Sequence, residues 1–179
     1  MYSRGYDFVS GQDFTDLGEA VHKYKYYKNL TSQERDKILT FCVEHVKKAL
    51  QKNFGQALPF NFLVAIPPNR MDSNSLPPLI VKSLAGQSRG ALIDASKLLT
   101  KKKEIPVLKN LDSTEKAKVL EDAYFFNPNL PYQRRGILIV DDIFDSGATL
   151  RFVARAIKGS YPDVPRYVLT LTALKGNYE

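Results

Sequence analysis

Two acids stand side by side at Asp141-Asp142, and after Ile143-Phe144 comes Asp145-Ser146-Gly147-Ala148-Thr149. The branched apolar run Ile137-Leu138-Ile139-Val140 precedes them, with no period-2 alternation, as in a strand covered on both faces. Beyond them Leu150, Val153, Ala154 and Ile157 recur at i, i+3, i+4, i+7, one face of an amphipathic helix. The spacing thus predicts a buried strand, a short turn of small polar residues, and a helix. Such a turn aims several free backbone N–H groups and the positive end of the helix dipole at one spot, which favours a phosphate. Gly147 and Ala148 admit close approach, and Ser146 and Thr149 can add hydroxyl donors.

The acid pair falls where the apolar run ends, at the carboxyl edge where open α/β sheets bind ligands. Two carboxylates beside a phosphate cradle repel an anion unless something intervenes. Ribose hydroxyls donate to carboxylates, and Mg²⁺ prefers oxygen ligands. The residue types therefore suggest a phosphorylated sugar with a divalent ion; the plainer alternative is an ordinary strand–turn–helix with an acidic turn.

The run ILIVDDIFDSGATL, Ile137 to Leu150, resembles the phosphoribosyl-pyrophosphate (PRPP) binding motif of type I phosphoribosyltransferases. That resemblance implies that Asp141 and Asp142 contact the ribose, that Asp145, Ser146, Gly147, Ala148 and Thr149 hold the 5′-phosphate, and that Mg²⁺ arrives with PRPP near Asp141 and Asp142. No direct protein metal ligand is expected. It further implies Asp145 as the catalytic acid/base; the alternative is an Asx-turn or capping aspartate. Phe144 departs from the family, which more often has an aliphatic residue there.

At 179 residues the chain is expected to form one domain with a full core. No apolar run approaches the ~18 residues of a membrane span, and the first residues, MYSRGYDFVSGQDF, contain no continuous apolar stretch of a secretory signal. Cys42, the single cysteine, excludes an internal disulfide and any CxxC metal site. A cytoplasmic setting with no membrane partner is the expectation. The formal charge of +7 suits a polyanionic partner, either PRPP or nucleic acid.

Phe14 to Lys28 reads as a helix whose tail, HKYKYYK, interleaves base and aromatic. That pattern can stack and neutralise single-stranded nucleic acid; the plainer reading, an amphipathic helix whose tyrosines cover a core edge while lysines snorkel, is the one favoured. Thr31 and Glu34 form a capping box that opens a helix with Ile38, Phe41, Cys42, Ala49 and Leu50 on one face, stopped by Gly55. FNFLVAI, Phe60 to Ile66, is a second strand running into Pro67-Pro68-Asn69-Arg70. By the resemblance, Asn69 and Arg70 contact the pyrophosphate; an exposed arginine in a proline turn is the alternative. Pro77-Pro78 starts a helix over 79–84, and Gly90 to Ile93 is a short strand. The lysine-rich stretch from Ser96 to Pro106 looks like an exposed loop. A mobile lid carrying Lys101, Lys102 and Lys103 is what the family implies there, and solvated surface is the alternative. Asp112 to Glu115 caps a helix through Ala117, Leu120 and Ala123, and Arg166 to Ala173 is a strand.

The order of these parts is similar to the competence-type (ComF-like) phosphoribosyltransferases, in which a KY helix precedes the sheet. Here the pair is Lys23-Tyr24 or Lys25-Tyr26. The fold expected is α/β, a central mostly parallel sheet flanked by helices (the type I phosphoribosyltransferase fold), with a helical hood over 1–55 and a transferase core over 56–179. The function implied is transfer of a phosphoribosyl group from Mg-PRPP to an unnamed nitrogen nucleophile with release of pyrophosphate, within nucleotide metabolism. A non-catalytic PRPP- or nucleotide-binding protein of competence or regulatory type that supports DNA handling is the alternative. The oligomeric state is open, a homodimer included.

Overall fold

The structure, a computed structural model, describes residues 15–68, 75–102, 120, 123–130 and 135–173. In chain order the elements are α1 (Asp16–Tyr26), α2 (Ser32–Phe54), β1 (Phe60–Ala65), α3 (Leu76–Gln87), β2 (Ile93–Asp94), a 3-10 turn (Ser96–Leu98), β3 (Leu99–Lys101), β4 (Tyr124–Phe126), β5 (Gly136–Phe144), α4 (Ala148–Ser160) and β6 (Arg166–Ala173). The central sheet has the order β2-β1-β5-β6 with every pairing parallel, and β3 and β4 form a separate antiparallel ribbon. This is the expected α/β architecture, a parallel sheet with helices on both faces.

Alternating side chains of the strands feed two apolar clusters. Leu63, Ala65, Leu138, Val140, Leu169 and Leu171 face α1, α2 and α3. Phe62, Val64, Ile137 and Ile139 face α4 and the β3–β4 ribbon. Phe60 and Phe62 belong to opposite clusters although they lie two residues apart. The register shift between them in the pairing with β5 accounts for this, because one extra residue in a strand reverses the faces that follow. Residues 15–54 of the expected hood form α1 and α2, and both contribute side chains to the same cluster as α3.

Local signals set the helix ends. Thr31 accepts from the Glu34 N–H while the Glu34 carboxylate accepts from the Thr31 N–H at 2.8 Å, the expected capping box. Gly55, at φ +65°, ends α2, and prolines occupy the first turn of α3, where a missing N–H costs nothing. The buried thiol of Cys42 is pushed up to about 12 by desolvation and is an inert part of the core.

Four sequence expectations are corrected. The buried stripe of α2 runs through Cys42, Val43, Val46, Ala49 and Leu50, and Phe41 lies outside it, 37 % exposed. Strand β2 starts at Ile93, where the expectation ended it. Leu99–Lys101 is a strand paired with β4, so that part of the lysine-rich stretch is no open loop. Most consequentially, β5 does not stop at Val140. It continues through both acids to Phe144, because β6 runs alongside and pairs Asp141 with Thr170 and Ile143 with Thr172. The proposed helix from Asp112 lies outside the described residues except Leu120 and Ala123, both buried.

Candidate functional site

Connections leave β1 toward β2 on one side of the sheet and leave β5 toward β6 on the other. The crevice between the carboxyl ends of β1 and β5 is thus a topological switch point, where open parallel sheets leave room for a ligand. Pro67-Pro68 follow β1 there, and Asp145-Ser146-Gly147 follow β5. Asn69 and Arg70, expected at a pyrophosphate, lie outside the described residues, as does Lys103.

The turn after β5 is built around Gly147. It is left-handed, at φ +68° and ψ 7°, and serves as N-cap of α4 with no side-chain capping bond. A Cβ at Gly147 would stand 2.9 Å from Phe144 Cζ and 3.0 Å from its Cε2, so the aromatic ring floors the turn. Phe144 is therefore a packing partner of the glycine. Arg151 N–H bonds the Gly147 carbonyl at 3.0 Å and starts the helical ladder. Ala148 N–H reaches Ser146 Oγ at a marginal 3.5 Å. Among the described residues, no hydrogen bond takes up the amides of Ser146, Gly147 and Thr149. Asp141 and the run Asp145 to Thr149 line a concavity of about 70 Å³ there, well above the ~10–15 Å³ that admits one water.

The acid pair sits beside this turn in unequal surroundings. Asp142 N–H donates to Asp141 Oδ1 at 2.9 Å. Desolvation by burial, reinforced by the charge of Asp142, pushes the Asp141 carboxyl up to about 7. Asp142 instead has a cation: Lys25 Nζ lies 3.0 Å from its Oδ2, 117 residues away in sequence. Burial works to lower the Lys25 pKa, but the charge and hydrogen bond of Asp142 outweigh it and the net shift is upward. One acid is therefore short of compensation and the other has it.

Lys25 distinguishes the two KY pairs. Tyr24 points into the core, 5 % exposed, together with Val21, and Lys23 pairs with Glu19 on the exposed side of its own helix. One residue beyond Tyr24, the helix turns Lys25 toward the sheet edge. Tyr26 and Tyr27, 54 % and 50 % exposed, follow it. Lys25 is the site residue that sequence reasoning does not single out. The usable signal is its phase relative to Val21 and Tyr24.

Lys101 and Lys102 lie in and just after β3. Lys101 Nζ donates to Pro68 O at 2.7 Å and so ties the ribbon to the loop after β1, while Lys102 stands 5.6 Å from the Phe125 ring centre. Lys101 is thereby held on the β1 side of the crevice, and Lys102 packs on the ribbon itself.

The donor set bears on a divalent cation. Among the described residues no three His, Cys, Asp or Glu side chains converge, so there is no all-protein metal cage among them. Two adjacent carboxylates, all-oxygen donors, fit Mg²⁺ of the kind held by one or two carboxylates plus a substrate's phosphates. No helix among the described residues is long and apolar enough to cross a membrane.

No family model and no curated protein matches the sequence. Among solved structures the chain is similar to the Helicobacter pylori xanthine-guanine-hypoxanthine phosphoribosyltransferase, with 16% identity and a TM-score of 0.47, over 80% of this chain and 77% of that one. It is also similar to an adenine phosphoribosyltransferase, with 15% identity and a TM-score of 0.44, over 76% and 81%. Likeness at this level transfers no residue role and no activity to this chain. The site rests on its own geometry: an uncapped helix N-terminus beside an asymmetric acid pair at the switch point of a parallel sheet.

Proposed function

We propose that this chain binds PRPP with Mg²⁺ and transfers the phosphoribosyl group to a nitrogen nucleophile, releasing pyrophosphate. The observation that carries the proposal is the set of untaken amides at Ser146, Gly147 and Thr149, starting four residues after the Asp141–Asp142 pair. The amides and the α4 dipole suit a terminal phosphate, with Ser146 and Thr149 hydroxyls beside them. Asp141 and Asp142 suit the two ribose hydroxyls as acceptors, which fixes the sugar between phosphate seat and sheet. Mg²⁺, when bound with PRPP near these acids, would offset charge on the departing pyrophosphate.

With the sugar held at both ends, the protein's task is positioning and electrostatics. The bond from the anomeric carbon to pyrophosphate breaks as the bond to nitrogen forms, through a transition state of oxocarbenium character. Asp145, half-buried in the lining of the concavity, is assigned to take the proton from the incoming nitrogen. Asn69 and Arg70 are assigned to the pyrophosphate, with Lys101, Lys102 and Lys103 on the segment that covers it.

A second reading, binding of PRPP or a nucleotide without transfer in support of DNA handling, is favoured by exposed Tyr26 and Tyr27 beside the helix position of Lys25. PRPP with Mg²⁺ should raise the melting temperature, and a panel of bases should then release pyrophosphate. Stabilisation without release selects the second reading, and no stabilisation excludes both.

A further inference from the structure

The Lys25–Asp142 pair differs from two other ion pairs of the molecule. Lys23–Glu19 and Lys47–Glu44 each lie within one helix turn on exposed faces. Lys25 instead crosses from α1 to the sheet edge, on a helix anchored by Val21 and Tyr24, 1 % and 5 % exposed. Its ammonium meets the carboxylate that the sugar or a cation would need, and its side chain keeps 37% exposure, so it can turn away without unpacking the helix. With Lys25 in place the trio Lys25, Asp141, Asp142 carries one net negative charge at most. A bare divalent cation arriving at the pair meets the ammonium at close range, whereas a phosphorylated ligand supplies negative charge toward which the ammonium can turn.

We propose that Lys25 makes divalent-cation binding at Asp141–Asp142 conditional on a phosphorylated ligand. Lys25 is then a specificity-determining residue that discriminates the metal–sugar-phosphate combination from the metal alone. This inference rests on the reading of the site as a sugar-phosphate seat. In linkage terms, Lys25 supplies part of the positive coupling between anion and cation.

The test is calorimetric titration of Mg²⁺ into the full chain, with and without saturating ribose 5-phosphate, for wild type, Lys25→Met and Lys25→Arg. In wild type, ribose 5-phosphate should tighten Mg²⁺ binding by about tenfold or more, within the usual range of coupling between two ligands. In Lys25→Met, Mg²⁺ alone should bind about three- to tenfold tighter than in wild type, and the enhancement by ribose 5-phosphate should shrink correspondingly. Lys25→Arg should restore the wild-type ratio. A lysine that merely ties α1 to the sheet would change melting temperature and leave this ratio alone. An equal ratio in wild type and Lys25→Met overturns the inference while leaving the sugar-phosphate reading intact. Absence of both Mg²⁺ and ribose 5-phosphate binding in wild type and Lys25→Met overturns both.

Discussion

Two helix N-termini in this molecule solve the same problem in opposite ways. Both α2 and α4 begin with amides that the helix itself cannot satisfy. At α2 the Glu34 N–H donates to Thr31 Oγ1 at 3.2 Å and the Thr31 N–H donates to the Glu34 carboxylate at 2.8 Å, so the terminus is capped. At α4 the N-cap is a left-handed glycine with no side-chain bond, floored by an aromatic ring and preceded by Asp141, Asp142 and Asp145. A capped terminus contributes stability; an uncapped one forgoes it and leaves donors for something else. The difference is what the proposed anion seat at α4 rests on.

The largest way to break this contrast is to remove the acids beside the open terminus. At PRPP about 100-fold over its Kd with Mg²⁺, wild type should gain about 2.7 kcal/mol, or about 5–10 °C in melting temperature for a chain of this size. Asp141→Asn with Asp142→Asn should lose most of that gain in a thermal-shift assay.

Next comes Asp141 alone, in the ligand-free protein. Its carboxyl is pushed up to about 7, so the folded state holds the proton more tightly than the unfolded chain. The resulting cost is nil below the ordinary carboxylate range, grows as pH rises toward 7, and is constant above it. Asp141→Asn should therefore be more stable than wild type at pH 8, by roughly 1–3 kcal/mol in urea melts, and equal to it near pH 4. Greater stability at pH 8 combined with weaker ligand binding is the signature expected of a residue kept for function.

Gly147→Ala should cost about 1–2 kcal/mol, since alanine is strained at φ +68° and its Cβ strikes the Phe144 ring. Adding Phe144→Leu should relieve the collision but not the backbone strain, so chemical denaturation of the double variant should recover only part of the loss. The smallest effects make the sharpest dissociation. Thr31→Ala should cost ~1 kcal/mol of stability with ligand affinity unchanged. Ser146→Ala should stay within about 0.5 kcal/mol in stability while weakening ribose 5-phosphate binding in calorimetry.

Much of this contrast is readable without coordinates. The Thr31/Glu34 box, the unbroken Ile137–Val140 strand and the small residues of the turn each carry a local physical signature. Other features depend on tertiary partners. Asp141 to Phe144 remain in a strand because β6 pairs with their backbone, which an apolar-run criterion cannot register. The ribbon offers another case: Leu99-Thr100-Lys101 becomes a strand only through Tyr124–Phe126, far along the chain. Lys23 and Lys25 are the same residue type two positions apart, and only helical phase against Val21 and Tyr24 separates a surface pair from a site residue. The buried face of α2 leaves out Phe41, an apolar side chain three residues after Ile38, and its ring packs beside His45 on the exposed side, with centroids 4.1 Å apart.

The most direct measurement is an amide chemical-shift titration of the ligand-free chain with ribose 5-phosphate. The largest shifts should fall on Ser146, Gly147 and Thr149, saturating together, while the amides at Thr31 and Glu34 stay in place. Saturating ligand that leaves Ser146 to Thr149 unmoved, or moves both helix termini alike, would contradict an anion seat at the open end of α4.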